Sequence, residues 1–227
     1  LFRSDGLMLL QRAEGYDFRM VYFNADGRES SMCGNGGRCI AAFAWRLGLG
    51  RAGEELHFIA IDGEHRAQLV EGRNDYMKVA LQMKDVPFSD IAQRADGSYV
   101  LDTGSPHYVA FLPQLKGFDA KGAGQGIRYS EEFAREGINV NFVESRSATQ
   151  VDLCTYERGV EDLTYACGTG ATAVAIAQYL RQKAKPPVHV HTQGGLLTID
   201  FVPTATGFEQ VWLTGDAVFV FEGKITK

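Results

Sequence analysis

The chain has 227 residues, 45% of them hydrophobic and 22% charged, enough for one large globular domain or two small ones. A net charge of -5 with no basic run argues against a nucleic-acid partner, and no apolar stretch reaches the ~20 residues of a membrane span. Four cysteines without a C-x-x-C or a Cys/His ligand spacing argue against a disulfide scaffold and a metal site, and favour a reducing, cytoplasmic setting.

The chain opens on Leu1-Phe2-Arg3 without an initiator Met, so further residues are expected before it. Residues 17–23 read as a strand ending in the turn Asn24-Ala25-Asp26-Gly27. A helix over residues 36–47, stopped by Gly48, is apolar almost all round and is expected to be buried, with Cys39 a small core hydrophobe inside it. Strands follow at 56–61 and 66–70, joined by the hairpin signal Asp62-Gly63, and at 76–82. The polar stretch 84–98, containing Pro87, reads as a boundary. Beyond it come strands at 99–102 and 108–112, then a Gly-rich excursion at 114–136 carrying a short helix. Strands at 140–144 and 151–156 precede a second apolar helix at 170–180, and Cys154 is read as another core hydrophobe. Strands at 188–192, 196–202 and 209–213 complete this part, with a separate last strand at 218–221 after Gly215-Asp216. His189 and His191 alternate along one of these strands and read as cross-strand or solvated side chains rather than ligands.

One apolar helix per set of strands predicts an α+β fold of two pseudo-symmetric lobes, each a mixed or antiparallel sheet wrapped around its helix, with the active site between the lobes. The expected boundaries are residues 1–83 for the first lobe, completed by 216–227, and 84–215 for the second.

The chemistry lies in an internal repeat. Met32-Cys33-Gly34-Asn35-Gly36-Gly37-Arg38 and Ala166-Cys167-Gly168-Thr169-Gly170-Ala171-Thr172 each put a cysteine at the mouth of an apolar helix. The repeat extends upstream: Tyr22 and Tyr156 both lie 11 residues before their cysteines, and Asn24 and Arg158 both lie nine before. A helix start carries unpaired N–H groups and partial positive charge, which favours a thiolate and binds an anion. Two such mouths suit removal of a proton from one face of a carbon and its return to the other. The backbone N–H groups of Gly34, Asn35, Gly168 and Thr169 are typed to stabilise the developing carbanion through its carboxylate. No lysine sits in a Schiff-base setting and no Gly-x-Gly-x-x-Gly follows a strand, so no cofactor is implied.

Both cysteine motifs resemble the signatures of the diaminopimelate epimerase family. The resemblance extends to Phe23-Asn24-Ala25-Asp26-Gly27, Gly104-Ser105-Pro106-His107, Tyr156-Glu157-Arg158-Gly159 and Thr214-Gly215, in the family's order. It implies a cofactor-independent epimerase interconverting LL- and meso-2,6-diaminopimelate for lysine and cell-wall precursor synthesis. It further implies Cys33 and Cys167 as exchanging acid and base, and Gly34-Asn35 and Gly168-Thr169 as holders of the reacting carboxylate. Asn24, Asn139 and Arg158 would bind the distal carboxylate and Glu157 the distal ammonium, with Ser105 and His107 in support. The family often has Asn where this chain has Ser105, and its N-terminal strand and Gly-x-Gly-Asn-Asp-Phe segment have no counterpart here. A homodimer is a possible assembly.

Three other readings remain open from sequence: a proline or hydroxyproline racemase of the same two-lobe type, a relative that isomerises with a carboxylate, and a binding protein for a diamino acid. Arg158 and Asn24 disfavour the first, since proline has no second carboxylate, and two cysteines disfavour the second. A dithiol redox protein is the weakest alternative.

Overall fold

Alternation of buried and exposed side chains shapes several of the strands. The segment Glu55–Ala60 buries Leu56, Phe58 and Ala60 and turns the residues between them outward, the period-two pattern of a strand with one face on a core. The computed structural model describes residues 6–30, 33–50, 53–73, 75–183 and 185–223. Met32 of the first motif and the opening residues 1–5 lie outside these.

The chain divides into two compact units, one running to Gln82 and resuming at Thr214, the other spanning Met83–Leu213. The first contains β1 (Gly6–Gln11), β2 (Phe18–Asn24), β3 (Glu29–Ser30), α1 (Gly34–Arg46), β4 (Glu55–Ala60), β5 (Gly63–Arg73) and β6 (Tyr76–Gln82). Its strand order is β1-β2-β4-β5-β6, with β2 and β4 parallel and the other pairs antiparallel. Phe18 and Phe58 stack at 4.7 Å between ring centroids and are fully buried, anchoring this core.

The second unit contains β7 (Val86–Pro87), β8 (Ile91–Gln93), β9 (Tyr99–Asp102), β10 (Pro106–Leu112), α2 (Ala120–Arg128), β11 (Asn139–Ser145), β12 (Gln150–Glu157), β13 (Asp162–Thr164), α3 (Gly168–Gln182), β14 (Val188–Thr192), β15 (Gly195–Pro203) and most of β16 (Gly207–Val218). Its order β11-β12-β14-β15-β16 repeats that of the first unit, including the parallel β12·β14 pair and the short β13 hairpinned onto β12 as β3 is onto β2. Strands β10, β9 and β8 extend it past β11. The architecture is thus a sheet-dominated α+β fold with mixed strand pairing. Helix α3 packs against β9, β10, β11, β12, β14 and β15, so the sheet of this unit curls around it. Every residue from Gly170 to Gln178 of α3 is buried. Helix α2 covers another face, where Ala120 meets Ile138, Val140, Phe142 and Tyr156.

Several expectations are corrected. Both apolar helices begin two residues earlier than the pattern suggested, because Cys33 and Cys167 are themselves the extended residues that cap them. No separate strand at 218–221 exists. Buried Val211, Leu213, Gly215 and Ala217 alternate without a break, so β16 runs straight through Gly215-Asp216, and its last residues join the first unit. The stretch 84–98, which follows the division between the units after Gln82, is itself structured: Val86 is buried, β7 pairs with β16, and β8 pairs with β9. Helix α1 is not buried all round, since Cys39 and Phe43 are exposed beside an apolar groove also lined by Met8, Ile40 and Phe219. Cys154 is half-buried against the α2 side of its sheet.

The Gly-rich α2 gives a direct test of packing. A Cβ at Gly124 would lie 2.6 Å from Cβ of Tyr156, whereas one at Gly126 would meet nothing within 4 Å. In urea unfolding, Gly124→Ala is expected to destabilise by about 1–3 kcal/mol, and Gly126→Ala to be neutral or stabilising by up to about 1 kcal/mol. Equal effects of the two changes would contradict the packing of α2 on β12.

Candidate active site

Strand β2 turns at Asn24, whose backbone N–H bonds the carbonyl of Arg28 while Gly27, at φ 81°, closes the turn. The chain returns through β3 and enters α1 at Cys33. Cys33 has extended dihedrals, and its Sγ accepts the N–H of Gly36 at 3.3 Å. A sulfur thus occupies the place a Ser or Asp oxygen usually fills at a helix start. Gly36 has a reason to be glycine: a Cβ there would lie 3.3 Å from that sulfur. Cys33, Asn35 and Asn24 are exposed, while Gly34 is buried.

Arg38 underlies this first mouth. It is 6% exposed, donating through Nη1 to the Gly34 carbonyl at 3.0 Å and through Nη2 to Oδ1 of Asn35 at 2.9 Å. Its Nε is buried without a partner. Burial lowers its pKa, and the charges of Cys39, Cys33 and Asp216 act the other way. Arg38 belongs to the first cysteine motif, and nothing in the sequence alone marks its role. Cys39 is exposed as a residue at the groove, but partial desolvation of its thiol by the surrounding apolar side chains pushes its pKa up.

The second mouth has the same plan. Cys167 is the extended cap of α3 and is 8% exposed, and a Cβ at Gly170 would lie 3.3 Å from its sulfur. Thr172 stands where Arg38 stands in the first repeat, and its hydroxyl donates to the Gly168 carbonyl at 3.1 Å. Around Cys167 the sequence-predicted residues gather closely. Oγ1 of Thr169 is 3.5 Å from Sγ of Cys167, 2.9 Å from Nε2 of His107 and 3.1 Å from Oγ of Ser105. Ser105 and His107 are 3.0 Å apart. Asn139 donates to Oγ of Ser105 at 3.3 Å and to the Pro106 carbonyl at 3.1 Å, and accepts the backbone N–H of Arg158 at 2.9 Å. Both hydrogens of the Asn139 amide are therefore in use.

The Arg158 guanidinium is steadied by Nη1, which donates to the Glu136 carbonyl at 3.0 Å, leaving Nε and Nη2 available to a carboxylate. Beside it in sequence, Glu157 ends β12, and burial pushes its carboxyl pKa up. An ammonium group brought to it would reverse that shift.

Sequence reasoning missed four residues of this network. Thr103 donates to the Thr169 carbonyl at 2.8 Å, Thr172 supports Gly168, and Asn141 and Thr155 bond each other at 2.9 Å behind His107. Asn141 left one signal: it shares a strand face with Asn139, two residues earlier, inside an otherwise apolar run. Among the described residues no group of three His, Cys, Asp or Glu could hold a metal ion, and no helix is long and apolar enough to cross a membrane. None of the four cysteines is in a disulfide.

The chain matches a family model described as diaminopimelate epimerase over residues 1–78 and 99–220. It is 46% identical to the diaminopimelate epimerase of Flavobacterium psychrophilum over 98% of this chain and 84% of that protein. To the diaminopimelate epimerase of Aquifex aeolicus it is 39% identical, over 99% and 81%. Among solved structures it resembles a Bacillus anthracis phenazine biosynthesis protein of the PhzF family, with TM-score 0.73 and 14% identity over 97% of this chain and 85% of that one. It also resembles a hydroxyproline epimerase from Agrobacterium vitis with bound trans-4-OH-L-proline, with TM-score 0.64 and 17% identity over 94% and 72%. Likeness at these identities is one of fold.

The buried imidazole of His107 sets a pH dependence. Burial, aided by the charge of Arg158, lowers its pKa to about 3 from the ordinary 6.5. The unfolded chain therefore takes up a proton that the folded chain refuses. The stability linked to this group is fully present above pH 6.5 and is lost as pH falls toward about 3. His107→Gln is expected to flatten the acid limb of stability, by at most about 1.4 kcal/mol per pH unit in that window. Parallel stability curves for wild type and variant would contradict a buried neutral histidine.

Proposed function

Because this chain belongs to the diaminopimelate epimerase family, we propose that it interconverts LL- and meso-2,6-diaminopimelate without a cofactor, as a step toward lysine and cell-wall precursors. The observation that carries this reading is the pair of cysteine-capped helices on matching strand–hairpin–helix modules. Each supplies a sulfur at the positive end of a helix, where a thiolate is favoured.

In this reading a single substrate is served by both modules. One cysteine, as thiolate, takes the α-proton from one face, and the other, as thiol, returns a proton to the opposite face. The pair changes roles with the direction of reaction. The α-proton is far less acidic than a thiol, so the carbanion must be stabilised as it forms. The first-turn amides at Gly34-Asn35 and Gly168-Thr169 do this by holding the reacting carboxylate. Ser105 and His107 fix Thr169 for that task.

Arg158 selects a substrate with a second carboxylate, joined by Asn24 and by Asn139, which exchanges its 3.3 Å bond to Ser105 for the ligand. Glu157 takes the distal ammonium. This polar end distinguishes the reading from a proline-type racemase, whose substrate has neither group. Four cysteines outside disulfides fit a reducing cytoplasm.

Alanine substitution tests the assignment. Cys33→Ala and Cys167→Ala are each expected to reduce epimerisation by roughly a hundred- to ten-thousandfold, while calorimetry shows diaminopimelate still bound. A single variant retaining near-wild-type turnover would overturn the two-base reading. Turnover of proline or trans-4-hydroxyproline in place of diaminopimelate would favour the racemase alternative.

A further inference from the structure

Behind Thr169 lies a buried hydrogen-bond chain whose direction is fixed at its far end. Asn141 is fully buried. Its amide nitrogen lies 3.0 Å from the Tyr108 carbonyl, which can only accept, and Oδ1 takes the Thr155 hydroxyl at 2.9 Å. These two contacts fix which way the amide faces. Its second N–H then points at Nδ1 of His107, 3.1 Å away. Nδ1 must accept that bond, so the ring proton sits on Nε2, and the low pKa of His107 keeps the ring singly protonated at working pH.

The order propagates outward. Nε2–H has two acceptors within reach, Oγ1 of Thr169 at 2.9 Å and Oγ of Ser105 at 3.0 Å. Ser105 Oγ faces two donors, the Asn139 amide and that ring N–H, so its own hydrogen goes to Oγ1 of Thr169 at 3.1 Å. Accepting in this order, the Thr169 hydroxyl has its own hydrogen left for Sγ of Cys167 at 3.5 Å. The charged group acting on His107 is Arg158.

We propose that Asn141 is a positioning residue for proton transfer at Cys167: by holding His107 as the Nε2–H tautomer, it makes Thr169 a hydrogen-bond donor to the Cys167 thiolate. The role of Cys167 rests on the reading given above, but the hydrogen-bond order does not. The close fit of the region agrees, since a Cβ at Gly170 would come within 2.7 Å of Oδ1 of Asn141.

Nitrogen NMR of the His107 ring in the wild-type protein tests the first link without any substitution, and the Nε2–H tautomer is expected. Asn141→Leu removes the amide at similar volume, and Asn141→Asp demands a proton on Nδ1 and so reverses the order. In both, the pH midpoint of Cys167 alkylation, read by peptide mass spectrometry, is expected to rise by about one unit, with that of Cys33 unchanged. Turnover is expected to fall about tenfold in kcat with KM nearly constant. A wild-type Nδ1–H tautomer, or folded variants with an unmoved Cys167 midpoint, would overturn the proposal. If the tautomer and the midpoint behave as expected but the wild type fails to epimerise diaminopimelate, the functional reading fails and the hydrogen-bond order stands.

Discussion

A helix that begins on a cysteine leaves the N–H groups of its first turn facing a sulfur, and the described architecture is organised around two such starts. The first-turn N–H groups have no carbonyl partner within the helix and carry the positive end of its dipole. The glycines three residues beyond Cys33 and Cys167 keep side-chain atoms away from each sulfur. The hairpins β2–β3 and β12–β13 deliver the chain to these starts. Burial of α3 within its own sheet then fixes the direction of its N-terminus, since a helix packed against six strands has little freedom to tilt.

The two modules share a backbone plan and differ in electrostatics. In both, a side chain five residues after the cysteine reaches back to the carbonyl of the glycine that follows it, at 3.0 Å from Arg38 and 3.1 Å from Thr172. The first module thereby places a buried cation beneath its helix mouth. The second places a neutral hydroxyl there and backs its cysteine, through Thr169, with the hydrogen-bonded side chains of Ser105, His107, Asn139 and Asn141. A satisfied buried network is rigid, because each broken bond leaves a polar group without water to replace it. Symmetry of fold therefore coexists with a different means of steadying each sulfur.

Much of this was legible in the sequence, for identifiable reasons. The repeat was visible because glycine and cysteine are required at a few fixed backbone positions, so a duplicated module keeps its spelling there. Strands at Tyr76–Gln82, Tyr99–Asp102 and Val188–Thr192 were located to the residue, and in the last two Tyr99, Leu101, Val188 and Val190 are buried in alternation. Strands β3, β7, β8 and β13 are two or three residues long, too short to show a period. Gly215-Asp216 spelled a turn, but burial of Leu213, Gly215 and Ala217 on one face carried the strand through it. Cys39 is exposed although its helix is apolar almost all round, because α1 keeps one flank open. Asn141 and Thr155 escaped notice because their importance lies in what they touch, and their partners come from other strands.

The central claim is proton exchange at carbon between two sulfurs. It is tested most directly by incubating LL-diaminopimelate with the protein in deuterated water, with dithiothreitol and no added cofactor, and following the α-carbon by NMR. Solvent deuterium is expected to enter at the α-position as the meso isomer appears. Formation of the meso isomer with the original α-hydrogen retained, or bound substrate that never exchanges, would contradict it.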